Sequence, residues 1–149
     1  MNSPDRLILV IEDDTDDLFL LQKAFEKSGL TKELIVARDG EMAIDVLSNE
    51  KTDRPALVIL DLKLPRKSGF EVLEWLGARG ALAYMRVIVL SSSTVPSDVQ
   101  RAYGLGVTSY HAKPAHFQEL KTLAAEICRF WRSPWEETPK PLEGAVPRP

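Results

Sequence analysis

Asp61 closes an apolar run, Ala56–Leu60, and is followed by Leu62-Lys63-Leu64-Pro65. Three other apolar runs end in a comparable way. Leu7–Ile11 leads into Glu12-Asp13-Asp14, Val87–Leu90 into Ser91-Ser92-Ser93, and Thr108–Tyr110 toward Lys113-Pro114. If these runs are strands of one parallel sheet, their polar tails meet at its carboxyl edge, where open α/β sheets hold ligands. Three carboxylates, a hydroxyl and an ammonium gathered there suit one chemistry: a divalent cation held beside an aspartate that accepts a phosphoryl group.

Charge decides which cation and which acids. Two like charges about 4 Å apart repel by roughly 4 kcal/mol at an effective dielectric of 20. Clustered carboxylates therefore call for a bound cation or for raised pKa values. Mg²⁺ suits the set, because it takes one or two carboxylates, keeps waters and leaves room for phosphate oxygens. Glu12 and Asp13 come just before a helix and are assigned to the site. Asp14, Asp16 and Asp17 fall in or next to its first turn, where acids complement the helix dipole and are usually solvated. Taken singly, each candidate has a plainer reading: Asp61 as a cap, Ser91 as a turn residue, Lys113 as a surface charge. Their common register at four strand ends is what favours a site.

The elements that must position these residues follow from periodicity. Short runs rich in Val, Ile and Leu alternate with stretches of helical spacing, the rhythm of βα repeats around a parallel sheet. Strands are expected near Leu7–Ile11, Leu34–Ala37, Ala56–Leu60, Arg86–Leu90 and Thr108–His111. A first helix carries Leu18, Leu21, Ala24 and Phe25, with Thr15 as its N-cap and Gly29 at its end. Asp39-Gly40 opens a second helix and Ser68-Gly69 a third. A fourth runs over about 96–103, and a fifth, over about 115–131, has the clearest apolar face. The fold expected is α/β, a doubly wound five-stranded parallel sheet.

Residues 1–132 are read as one domain. Five of the 10 prolines follow Ser133, so residues 133–149 read as an extended or disordered tail. A net charge of −3 gives no electrostatic reason for nucleic-acid binding. The single cysteine, Cys128, excludes an internal disulfide framework. No stretch approaches the roughly 20 apolar residues of a membrane span, and the amino terminus lacks a signal-peptide core. A cytoplasmic protein that engages neither membrane nor nucleic acid is expected.

Glu12-Asp13, the spacing Asp61…Pro65…Gly69, Ser91 and the unit Tyr110-x-x-Lys113-Pro114 together resemble the receiver domain of two-component response regulators. The resemblance spans about residues 6–131. Leu62-Lys63-Leu64-Pro65, Ser91-Ser92-Ser93 and Ser97-Asp98-Val99 before Arg101-Ala102-Tyr103 resemble most the stand-alone regulators that serve phytochrome-type histidine kinases. The resemblance implies strand order 2-1-3-4-5, with Asp61 as phosphoacceptor and a histidine kinase as donor. It implies Mg²⁺ bound by Glu12, Asp13, Asp61 and the backbone carbonyl of Lys63. Ser91 and Ser92 would face the phosphoryl group, Tyr110 would be the switch aromatic, and Lys113 would pair with phosphoryl oxygens, with a cis peptide before Pro114. It further implies a chain without an output domain, catalysing only its own phosphoryl transfer and slow autodephosphorylation. A homodimer through the fourth helix, fifth strand and fifth helix is expected from the same likeness and from the aromatic cluster Phe130, Trp131 and Trp135. Two departures are visible: Glu12 stands where aspartate is commoner, and Lys63 where many members carry asparagine.

Two other classes stay open, the second of them on the same fold. A Mg²⁺-dependent phosphohydrolase with an aspartyl-phosphate commonly needs a second acid two residues after the nucleophile, and Lys63 occupies that position. A flavodoxin-like cofactor binder needs a glycine-rich phosphate loop after the first strand, where acids stand here. A receiver that signals without phosphate ranks below both, since each key residue type is present. Cys128 reads as core filler, and His111 and His116 as partly solvated residues flanking Lys113-Pro114.

Overall fold

The structure is a computed structural model that describes residues 7–30, 34–49 and 56–149. The amino-terminal stretch read above for a signal lies outside them. Five strands, β1 (Ile8–Ile11), β2 (Ile35–Ala37), β3 (Ala56–Leu60), β4 (Met85–Ser91) and β5 (Ser109–Ala112), alternate with five helices. These are α1 (Thr15–Lys27), α2 (Gly40–Leu47), α3 (Gly69–Ala78), α4 (Pro96–Gly104) and α5 (Phe117–Arg132). Every strand pair is parallel, and the order is β2-β1-β3-β4-β5. The expected fold and strand order are therefore the observed ones.

The continuous apolar strands are explained by burial on both faces. Leu9, Ile11, Val58, Leu60, Val87 and Val89 face α2, α3 and α4, and pack with Leu73, Val99 and Tyr103. Their neighbours Ile8, Val10, Leu57, Ile59, Ile88 and Leu90 face α1 and α5, and pack with Phe25, Ile127 and Cys128. Cys128 is a buried core residue, as expected, and burial pushes its thiol pKa up. Trp131 is buried in the same layer.

Helix starts follow capping chemistry with one correction. Asp14, not Thr15, caps α1: its carboxylate accepts from the Asp17 amide at 2.8 Å. Thr15 is the first helical residue and its hydroxyl accepts from Arg38 instead. Asp39 caps α2, accepting from the Met42 amide. Ser68 and Glu71 form a reciprocal capping box on α3.

The tail is extended, without helix or strand, and it is not loose. Leu142 is buried on the α5 side of the sheet, and its amide donates to Ser109 Oγ at 3.0 Å. Val146 lies against the opposite layer, and its amide donates to the Tyr110 carbonyl at 2.7 Å. The segment thus crosses the open edge of β5. Proline count signals a lack of helix, but it does not report that Leu142 and Val146 find apolar seats on either side of an edge strand. Trp135 lies across Arg86, with the guanidinium carbon 3.7 Å from the ring centroid. Arg86 is 6% exposed, and its Nη2 has no hydrogen-bond partner. Burial lowers its pKa, which the charge of Glu136 partly offsets.

His111 differs from expectation, because it is buried rather than partly solvated. Its Nε2 lies 2.7 Å from Ser109 Oγ. The same hydroxyl oxygen accepts the Leu142 amide, so Ser109 links the ring to the tail. Burial holds the His111 pKa down, from 6.5 to about 4. The unfolded chain then binds more protons below pH 6.5, so stability falls on acidification until about pH 4 is reached. The shift amounts to about 3 kcal/mol. Replacing His111 by Gln should remove about that much of the acid-side loss. Urea unfolding of both chains from neutral pH down to pH 4 measures it, and parallel stability curves would refute the lowered pKa of His111.

Candidate functional site

Two backbone hydrogen bonds bring the acids together. The Asp61 amide donates to the Ile11 carbonyl at 3.0 Å, and the Glu12 amide to the Ala37 carbonyl at 3.0 Å. Both continue the sheet ladder by one residue past the strand ends, so Glu12 and Asp61 emerge side by side. On the other flank the Lys113 amide donates to the Ser91 carbonyl at 2.8 Å. One sheet edge thus carries all four polar tails.

The side chains converge. Carboxylate oxygens of Glu12, Asp13 and Asp61 lie within 4.8 Å of one another. Lys113 Nζ is 2.8 Å from Glu12, 3.1 Å from Asp61 and 2.8 Å from Asp17. Glu12 also accepts the Asp14 amide, and Asp61 Oδ1 accepts the Lys63 amide at 3.2 Å. Glu12 and Asp61 are buried, whereas Asp13 is exposed. Desolvation raises the pKa of Glu12, against the lowering effect of its hydrogen bond to Lys113. Burial alone would lower the pKa of Lys113, but hydrogen bonds to Asp17 and Glu12 and the charge of Asp61 outweigh it and the net shift is upward. Lys113 is therefore charged throughout the physiological range.

The remaining predicted residues fall one step away. Ser91 is fully buried, and its Oγ accepts the Ser93 amide at 3.2 Å. Ser92 is exposed beside it. Tyr110 is fully buried with its ring turned inward, and its hydroxyl donates to the Ser93 carbonyl at 2.6 Å. Desolvation raises its pKa. The Lys63 side chain is exposed. One expectation fails: the peptide before Pro114 is trans, and no cis peptide bond occurs among the described residues. The intrinsic preference of X–Pro bonds is for trans, by about 0.5–1 kcal/mol.

Two residues escaped the sequence reading. Asp17 was assigned to solvent as a first-turn acid, yet it reaches Lys113 from across α1. One turn of helix separates it from Asp14, so its side chain returns to the same edge. Arg38 donates to both the Asp13 carbonyl and the Thr15 hydroxyl at 2.8 Å and fixes the acidic turn. Its place directly after the β2 apolar run was the available signal.

The donor set is all oxygen, clustered and partly buried, which fits a hard divalent cation. Two clefts open around α5 and the tail, and the second reaches Lys113. One lies where α5 ends, beside Arg86 and Trp135, and the other lies between α5 and the tail.

This fold and edge cluster are those of a receiver domain, and the comparisons agree. Residues 8–125 match the family model described as response regulator receiver domain, and the chain belongs to that family. It is 38% identical over 138 residues to the probable methanogenesis regulatory protein FilR2 of Methanothrix harundinacea, covering 91% of this chain and 88% of that one. It is 35% identical over 134 residues to response regulator Rcp1 of Synechocystis, covering 87% and 91%. Among solved structures, the Mn²⁺-bound form of Rcp1 superposes with TM-score 0.75 at 33% identity, covering 89% of this chain and 98% of that one. The phosphorylated cyanobacterial phytochrome response regulator RcpA gives TM-score 0.75 at 31% identity, covering 93% and 98%. The protein is a two-component signalling receiver. No helix among the described residues is long and apolar enough to cross a membrane.

Proposed function

We propose that the chain is a phosphorylation-controlled switch whose phosphoacceptor is Asp61. The observation that carries this is the position of the Asp61 carboxylate, within the acidic cluster and 3.1 Å from Lys113 Nζ. A histidine kinase donates the group: the N–P bond of its phosphohistidine breaks, an O–P bond forms at Asp61, and the released imidazole takes a proton. The likeness to RcpA supports a phytochrome-type kinase as the donor.

Glu12, Asp13 and Asp61 would hold the metal, with the Lys63 carbonyl as a further oxygen. Mg²⁺ would neutralise charge on the transferring group, where catalysis is mostly positioning and electrostatics. The chain's own residues do the rest. Lys113, shared among three acids, supplies the positive charge that the new phosphoryl oxygens attract. The added charge of about −1.5 to −2 draws Lys113 and the Ser91–Ser92 segment toward Asp61. Ser93 moves with that segment and holds Tyr110 inward through its carbonyl.

Incubation with acetyl phosphate and Mg²⁺, followed by intact mass, tests the assignment. The chain should gain one phosphoryl group and Asp61→Asn should gain none. An equal gain in both, or in neither, would refute it. We further propose a homodimer through α4, β5 and α5, the face next to Tyr110. The tail lies across part of that face, so it either joins the interface or leaves it. Sedimentation should show self-association at micromolar concentration that strengthens with a phosphoryl mimic, and a monomer in both conditions would remove the dimer.

A further inference from the structure

The tail meets the sheet at the residue that the switch turns on. One backbone polar group of Tyr110 bonds it directly, and the other reaches it through Tyr103. The Tyr110 carbonyl accepts the Val146 amide at 2.7 Å. The Tyr110 amide donates at 3.1 Å to the Tyr103 hydroxyl, which in turn donates to the Val146 carbonyl at 2.6 Å. Arg148 adds a contact over the Tyr103 ring, 5.4 Å from its centroid, and a hydrogen bond to the Tyr103 carbonyl at 3.4 Å. Downstream anchoring is thus concentrated on α4 and β5. Upstream anchors are Leu142 at Ser109 and Trp135 on Arg86. Between the tail and α5 an open cleft of about 540 Å³ remains, so the strap is fastened at points rather than embedded along its length.

Ring position and tail position are not independent. β5 pairs only with β4 and is an edge strand. Tyr110 lies in the α4-side layer against which Val146 packs. A ring leaving that layer has to pass the edge that Val146 covers. An inward ring, held by the Ser93 carbonyl, leaves the edge free for the tail. A chain of contacts also leads from there to the acidic site: Tyr110 hydroxyl to Ser93, Ser93 amide to Ser91 Oγ, Ser91 carbonyl to the Lys113 amide, and Lys113 to Asp61.

We propose that residues 142–148 are an intramolecular ligand of the α4–β5 edge, and that this docking tightens when Asp61 carries a phosphoryl group. The inference rests on the phosphoacceptor reading above. Linkage makes the coupling reciprocal: the docked tail favours the inward Tyr110, and whatever fixes Tyr110 inward favours the tail. The backbone groups of the β5 edge are then paired within the chain, and the seated tail becomes part of the α4–β5–α5 face that a second copy would meet.

Hydrogen exchange read by mass spectrometry on the full chain tests this, with and without acetyl phosphate and Mg²⁺, taking intact mass from the same samples. In samples that gain one phosphoryl group, exchange at the Leu142 and Val146 amides should slow about 5-fold or more, the lower end of typical couplings. The slowing should be present, and independent of chain concentration, in dilute samples that sedimentation shows to be monomeric. Val146→Pro removes the amide that donates to Tyr110, and in that variant the slowing at Leu142 should vanish while the mass gain persists. Unchanged or faster exchange in a fully phosphorylated sample overturns the proposal and leaves the Asp61 assignment standing. Absence of the mass gain overturns both. Slowing seen only at concentrations where the chain self-associates places the tail on the edge of a second copy and overturns the intramolecular assignment.

Discussion

Replacing Lys113 by methionine should cost the protein about 3 kcal/mol in the presence of a chelator at neutral pH, and millimolar Mg²⁺ should return much of that loss. The ammonium serves three acids at 2.8–3.1 Å. Only two of them set the magnitude. The side chains of Glu12 and Asp61 are each 7% exposed, whereas that of Asp17 is 43% exposed. An exposed pair is worth about 0–1 kcal/mol, so Asp17 contributes little. Removing one partner of a buried pair costs about 3–5 kcal/mol, because the other charge stays buried without compensation. Lys113 retains 19% exposure, which places the effect near the lower bound. Methionine keeps the length of the apolar stem, so lost packing adds little.

The metal dependence gives this prediction its specificity. Mg²⁺ bound by Glu12, Asp13 and Asp61 would supply the missing positive charge to the same oxygens. Binding to the native state alone stabilises by mass action, so the variant should gain more from Mg²⁺ than the parent chain does. Acid should act in the same direction. Glu12 already has a raised pKa, and without Lys113 it should protonate at still higher pH. The stability gap between variant and parent should therefore close as pH falls through the carboxylate range. Urea unfolding in chelator, in Mg²⁺ and at lowered pH gives the three comparisons. A variant as stable as the parent in chelator would show that the three acids do not depend on Lys113.

The site was legible because it is made by strand ends. In a parallel sheet every strand delivers its next residue to the same edge, so the residues after Ile11, Leu60, Leu90 and Ala112 needed no knowledge of side-chain packing to be placed together. What the sequence did not disclose depends on three-dimensional reach. Asp17 looked like one of several dipole-complementing acids, and only the position of Lys113 over α1 gives it a partner. His111 looked solvated because it neighbours charged residues, yet strand alternation turns it to the α5 side with Ser109. The tail shows the same limit: composition reports which local structure is disfavoured, while seats for Leu142 and Val146 exist only after β5 and α4 are assembled.

The spacing from Asp61 to Gly69 has a steric cause, and it yields the second large effect. The Gly69 amide donates to the Leu62 carbonyl at 3.0 Å, so the first turn of α3 rests against the backbone that follows the phosphoacceptor. A Cβ at Gly69 would lie 2.6 Å from both the Asp61 carbonyl oxygen and the Leu62 Cα. Those are backbone atoms and cannot swing aside as a side chain would. Gly69→Ala should therefore destabilise by about 3 kcal/mol, the upper part of the range for overpacking. It should also slow phosphoryl uptake, because the strain falls on the peptide that carries Asp61. Gly77, eight residues along the same helix, is the internal control. A Cβ there meets nothing within 4 Å. Gly77→Ala should be neutral or stabilising by up to about 1 kcal/mol, since alanine is the better helix former. The two alanine variants differ only in which turn of α3 carries the added methyl group. Urea midpoints moving in opposite directions, with uptake of phosphate from acetyl phosphate impaired in Gly69→Ala alone, would tie the glycine to the placement of Asp61. Equal midpoints for the two variants would show that the loop after β3 yields freely, and the close approach would then have no part in holding the acceptor.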